Sequence, residues 1–359
     1  MFTNSVPWIM DLSSDSKRQL AWVIKTEGNN IVNQPLNAKS HDWIDKISND
    51  LFYAKVPVYS FQKNNLTIEN IVELLEIFKN SNFIDNSFVK IISDVTIKKS
   101  YECLSSSNGK ILIDVISCAD WPEISNKIIN GIFLAANMLC EIFPWAKKNK
   151  YVHIQLIPCP INKTFSLNGE WNPIHINSGF SSSHIVIWRR QEILKVAIHE
   201  LLHLYSIDLS DEYFKNHDIF KIFENNNTPT NNTISEPRWN EGITEALATI
   251  IHLSIMRHLY QTDSANLYLM LDLERSHAKL IASLIYNKYL PSESKESTSV
   301  FSYFVVKTLL LENLELFQEI LEKRSYKLFH QKITPIIAKW HIIKNIKKAP
   351  FLCMSAIGL

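Results

Sequence analysis

A chain of 359 residues with 46% hydrophobic content is long enough for two or three structural lobes around a real core. Its net charge of +1 is spread along the chain, which excludes an obvious nucleic-acid surface, and the basic run 339–348 reads as a solvated helix face. Five cysteines without a Cys-x-x-Cys pair, no apolar run long enough to span a bilayer and no signal-peptide pattern at the N-terminus predict a cytoplasmic protein without a membrane span.

Residues 1–95 read as an accessory N-terminal region. Within it the apolar patch 50–60 is predicted as a short strand, and Thr67 caps an amphipathic helix reaching to about Asn80. The segment 110–117 (KILIDVIS) carries the β-branched alternation of a strand. Helical periodicity follows over 121–148 and breaks before Pro144. Two more strands are predicted at 151–158 and 184–189, the second leading into an apolar helix over 193–207. The polar, Asn-rich stretch 208–233 is a loop by composition. Ser235 and Pro237 are start signals for a second long helix that passes through Trp239 to about Gln261. The chain is mostly helical from 264 to 349, and only seven glycines fit that helix-rich reading. Strands early and helices late predict an α+β fold: a core over 96–262 and a helical C-terminal lobe over 263–359 that completes a cleft.

The chemistry concentrates in the apolar helix. His199-Glu200-Leu201-Leu202-His203 reads H-E-x-x-H. Residues four apart share a helix face, separated by ~6 Å along the axis, so both imidazoles can point at one metal ion. Glu200 then stands where it can take a proton from an attacking water. Ionisable groups among Val196, Ala197, Ile198, Leu201, Leu202 and Leu204 are costly to bury unless they coordinate or pair.

A catalytic zinc takes three protein ligands and keeps one position open. Downstream candidates for the third are Asp208, Asp211, Glu212, His217, Glu236, Glu241, Glu245, His252 and His258. Glu241 and Glu245 are four apart on the second long helix and share a face. One of the two can bind metal while the other accepts the free N–H of a ligand histidine. His252 and His258, together with His175 and His184 upstream, read as packing histidines. Asp208 reads as a helix-end residue.

The pairing of H-E-x-x-H with Trp239-Asn240-Glu241-Gly242-Ile243-Thr244-Glu245 resembles the gluzincin metallopeptidases, of which thermolysin and the alanyl aminopeptidases are familiar members. The resemblance covers about 180–312. It implies a zincin-like core, a small mixed sheet with the H-E-x-x-H helix and a following glutamate-bearing helix. It also implies Zn2+ held by His199, His203 and Glu241, with Glu200 as general base and with Glu245 and Asn240 supporting the ligands. Tyr303 sits where aminopeptidases of this class place the tyrosine that donates to the oxyanion. The interval of 37 residues between His203 and Glu241 is longer than in the familiar members. No G-x-M-E-N segment precedes the helix, so the resemblance does not decide between endo- and exopeptidase action. The segment 187–210 is also similar to uncharacterised zincin-like proteins of large DNA viruses. The expected function is a zinc metallopeptidase acting on a peptide or protein substrate. The alternative is a zincin-fold structural or assembly protein that binds zinc without turnover.

Overall fold

The computed structural model describes residues 9, 11–27, 36–79, 88, 90–91, 94–105, 108–165, 171–209, 238–286, 299–339, 343, 346, 349, 352 and 355–357. Two helices open it, α1 (Ser14–Glu27) and α2 (Ala38–Phe52). Asn37 caps α2 by accepting the Ser40 N–H at 2.8 Å, and Trp43, Ile44, Ile47 and Leu51 form its buried stripe. Then come strand β1 (Ser60–Asn65), helix α3 (Ile68–Lys79), strands β2 (Ile97–Ser105) and β3 (Gly109–Ser117), helix α4 (Asn126–Ile142) and strand β4 (Tyr151–Cys159). A helical turn at Pro173–Ile176 precedes strands β5 (Gly179–Ser181) and β6 (Ile185–Arg189).

The six strands form one mixed sheet in the order β1-β2-β3-β4-β6-β5. Its centre, β3, β4 and β6, is parallel, while β1 and β2 on one side and β5 on the other are antiparallel to their neighbours. Parallel strands need both faces covered. Ile113, Val115, Ile154, Leu156 and Ile187 face the large helical core on one side. Ile116, Ile157, Val186 and Trp188 join Leu74 and Phe78 of α3 on the other.

Helix α5 (Ile193–Leu204) lies on the helical side against α4, β5 and β6. Helix α6 (Trp239–Tyr260) crosses it, and α7 (Ser264–Leu284) follows. A π-helical turn at Ser302–Val306 runs into α8 (Lys307–Glu312), and α9 (Leu314–Lys323) and α10 (Tyr326–Lys339) complete the lobe. Nearly every residue of α6 is buried, because α2, α5, α7, α8 and the π-turn surround it.

The fold is therefore α+β, a small mixed sheet with a histidine-bearing helix, a glutamate-bearing helix and a mostly helical C-terminal lobe. One predicted strand is corrected. The patch 50–60 is not a strand, since its first residues complete α2 with Leu51 buried, and Val58 is 95% exposed. The strand begins only at Ser60, where pairing with β2 sets in. Beyond residues 208 and 209, the predicted loop lies outside the described residues, as do the helix-start signals Ser235 and Pro237.

Candidate metal centre

A tight turn delivers the chain from β6 into α5. Arg189 is buried and donates to the carbonyls of Asn177 and Asn162, both at 2.8 Å, which fixes the strand end. Glu192 takes a left-handed conformation (φ 62°) ahead of the helix, and its carboxylate receives buried Lys163 Nζ at 2.7 Å. At the far end, the Ser206 N–H bonds the His203 carbonyl and the Ile207 N–H bonds that of Leu202, with Ser206 left-handed at φ 52°. This Schellman reversal folds the chain back over the last helical turn. Asp208 is thereby brought onto His203, whose Nδ1 stands 2.8 Å from Asp208 Oδ2.

His199 and His203 project from one face of α5, their ring centres 4.8 Å apart. Helix α6 supplies Glu241 opposite them. The atoms His199 Nε2, His203 Nε2 and Glu241 Oε2 form a near-equilateral triangle, with sides of 3.0, 3.3 and 3.4 Å. A tetrahedral zinc with ligands at ~2.0–2.1 Å separates neighbouring ligand atoms by about 3.3–3.4 Å, so the triangle has the size of such a site. The other ring nitrogens are spoken for. His199 gives its Nδ1–H to Glu245 Oε2 at 3.1 Å, and His203 gives its own to Asp208. Each Nε2 then presents a lone pair, and two lone pairs and a carboxylate oxygen face one point. That arrangement is repulsive unless a proton or a metal cation sits among them, and the donor set of two imidazoles and a carboxylate suits a divalent ion.

With the protein's own groups alone, the electrostatics agree. Burial would raise the Glu241 carboxyl, but His203 and His199 overcome it and hold it well below the usual range. Burial would lower His203, yet Glu241 and Asp208 carry it well above the ordinary imidazole value. Protons and a metal ion thus compete for the same nitrogens. Glu200, only 7% exposed, moves the other way: burial raises its carboxyl, and the two histidines and a hydrogen bond from Ser181 only partly offset this.

The triad opens into a cleft of about 690 Å³, lined by β5, one face of α5 from Lys195 to Leu204, Asn240, Glu241 and Tyr303. Strand β5 is the sheet edge beside it. Gly179 in that strand leaves room for the Glu200 side chain: a Cβ there would stand 2.9 Å from Val196 Cγ1 and 3.2 Å from Glu200 Oε1. Tyr303, in the π-turn, sets its ring against His199 with centres 5.8 Å apart. Burial, and then the fields of Glu241 and Glu200, push its phenol well above the ordinary value, so it stays a donor.

The structure therefore brings His199, Glu200, His203, Glu241, Glu245, Asn240 and Tyr303 to one place. Of the nine candidates for a third ligand, Glu241 stands in the triangle and Glu245 behind it, while Asp211, Glu212, His217 and Glu236 lie outside the described residues. Asn240 lines the cleft with its buried Oδ1 lacking a hydrogen-bond partner, and the imidazole nitrogens are held by Glu245 and Asp208. His252 is buried in α6 and pushed down to about 3 by burial and the nearby charge of Lys195. His258 bonds the Phe52 carbonyl, His175 accepts from the Asn172 N–H, and the His184 ring lies tilted against that of His153, centres 5.7 Å apart.

Asp208 carries more than its position at a helix end suggests. The signal was there: a carboxylate beside a helix C-terminus meets the negative end of the dipole, and needs a partner that repays it. Lys195 is the other group the motif leaves out. It lies one turn before His199 on the same face, 2% exposed, and pairs with Glu245. Lysine in an apolar helix four residues ahead of a ligand is itself a sign of a buried carboxylate.

No family model, curated protein or solved structure matches this chain. The placement of the site thus rests on its own geometry. Two imidazoles on one helix and a carboxylate on the neighbouring helix form a zincin-like metal-binding triad. No helix among the described residues is long and apolar enough to cross a membrane.

Proposed function

We propose that the protein is a zinc-dependent metallopeptidase of the gluzincin type. The observation that carries this reading is the triangle His199–His203–Glu241 with Glu200 on its cleft side. Zinc bound there supplies a Lewis acid that polarises a carbonyl and lowers the pKa of water. Glu200 takes the proton of the attacking water and later passes it to the leaving amine. Tyr303 donates its hydroxyl to the oxyanion that develops on the scissile carbonyl.

A peptide fits the cleft for a backbone reason. Strand β5 ends the sheet, so the main-chain groups of its outer edge are available to an extended peptide laid alongside it. Ser181 and Phe180 of that strand line the cleft close to Glu200.

The reading of a metal-binding protein without turnover is less well supported. A structural site fills all four positions, whereas the clustered ligand groups among the described residues number three. Nor does a structural site need Glu200 in the cleft wall. The test is Glu200→Gln in a peptide-library cleavage assay run with and without chelator. The expected result is full zinc content with cleavage lowered at least ~10³-fold, and wild-type cleavage abolished by chelator. Cleavage that survives both treatments contradicts the proposal.

A further inference from the structure

Behind the metal ligands the protein buries a cluster of charge. Glu245 is at its centre and is 1% exposed. Its two carboxylate oxygens face different ways. Oε2 takes the His199 Nδ1–H at 3.1 Å. Oε1 takes Lys195 Nζ from α5, and Lys307 Nζ from α8 stands 3.7 Å from the same oxygen. Both lysines are buried, at 2% and 1% exposure. A third buried lysine, Lys163, pairs directly with Glu192 at 2.7 Å and reaches Glu245 only through its weaker, longer-range field.

Stability is a poor reason for this cluster. Taking each charge out of water costs several kcal/mol, and well-packed apolar residues often serve as well or better. Orientation is a better one. A carboxylate on a flexible side chain can rotate about its terminal torsion, and the His199 ring follows whichever oxygen accepts its proton. Two cations converging on Oε1 from different helices remove that freedom. They leave Oε2 as the oxygen that faces His199, so Nε2 is held toward Glu241 and His203. Lys307 adds a second connection. It lies four residues after Tyr303, and its N–H bonds the Ser302 carbonyl five residues back, the bond that defines the π-turn. One short segment thus presents Tyr303 to the cleft and Lys307 to the rear of the metal ligands.

We infer that Lys195 and Lys307 are positioning residues for the metal centre, acting through Glu245 on His199. The inference rests on the metal reading above. Its test is zinc affinity, measured by chelator competition on folded full-length protein, together with the visible spectrum of the Co(II)-loaded form. The variants are Lys195→Met, Lys307→Met and, as an equally buried control, Lys163→Met. Expected is a loss of roughly tenfold to a hundredfold in zinc affinity with an altered Co(II) spectrum for the first two, and affinity within about twofold of wild type for the control. Equal losses in all three variants, or wild-type affinity and spectra for Lys195→Met and Lys307→Met, overturn the positioning role. Should Lys195→Met not fold, the double variant Lys195→Met/Glu245→Gln is compared with Glu245→Gln alone. The lysine change should then cost little further affinity once Glu245 is neutral, and a full tenfold cost in that background overturns the role. A wild type that takes up no zinc overturns the metal reading and this inference with it.

Discussion

Asp208 shows how a single side chain can complete a site that its motif leaves unfinished. Without it the His203 ring has no partner at Nδ1 among the contacts described above, and both its tautomer and its tilt are free. The turn that carries it is itself anchored, because Arg324 donates to the backbone carbonyls of Ile207 and Asp208 at 3.0 and 2.9 Å. Asp208→Ala is expected to weaken zinc roughly tenfold to a hundredfold while the fold persists. Chelator competition and circular dichroism on the same sample check this, and unchanged affinity refutes the role. At this scale the sequence was readable where chemistry depends on spacing within a helix. The shared faces of His199 with His203 and of Glu241 with Glu245 follow from the four-residue period, whereas Glu241 as the ligand of that pair is what the gluzincin resemblance implies. Asp208 and Lys195 were not readable, because their partners are set by a reversed turn and by a neighbouring helix, and no periodicity carries that information.

The elements divide along the same line. Helices α5 and α6 announce themselves by long apolar patterns, and β3 and β4 by β-branched alternation. Strand β1 (SFQKNN) has every residue exposed and no apolar face, so only its pairing with β2 makes it a strand. The patch before it was apolar and yet ended a helix. The π-turn at Ser302–Val306 is also invisible to periodicity, although Gly242 hints at it. A Cβ on Gly242 would stand 2.5 Å from Val306 Cβ and 3.0 Å from the Ser302 carbonyl, so the turn that bears Tyr303 packs directly on the helix that bears Glu241. Gly242→Ala must push the two apart. The expected cost is about 1–3 kcal/mol of stability from overpacking. Turnover should fall more than zinc affinity does, because Tyr303 moves while the triangle can stay intact. Thermal unfolding and steady-state kinetics beside zinc affinity check this, and a variant indistinguishable from wild type in all three contradicts the packing argument.

For the molecule as a whole, the sheet carries a polar cluster on the face away from the metal. Asp114 on β3 is fully buried there and bonds Ser100 Oγ at 2.7 Å, Lys98 Nζ at 2.8 Å and His153 Nε2 at 2.9 Å. Burial would raise its carboxyl, but these bonds prevail and hold it down to about 2. Its folded pKa is thus below the unfolded value near 3.8, so the stabilisation is present above that value and is lost as pH falls through 2. The size is on the order of 2 kcal/mol. In urea unfolding of the metal-free protein, the gap between wild type and Asp114→Asn should shrink steadily from pH 5 to pH 2. A constant gap contradicts it.

Helices from both sides of a long interval converge on three atoms spaced for one ion, so a bound ion should join the two halves of the fold and raise its stability by mass action. The most direct measurement is the zinc content of the purified full-length chain, by elemental analysis, beside His203→Ala and Glu241→Ala. One zinc per chain in the wild type, lost in both variants, is the expected result. A wild type without zinc, or variants that keep it in full, would contradict the metal centre.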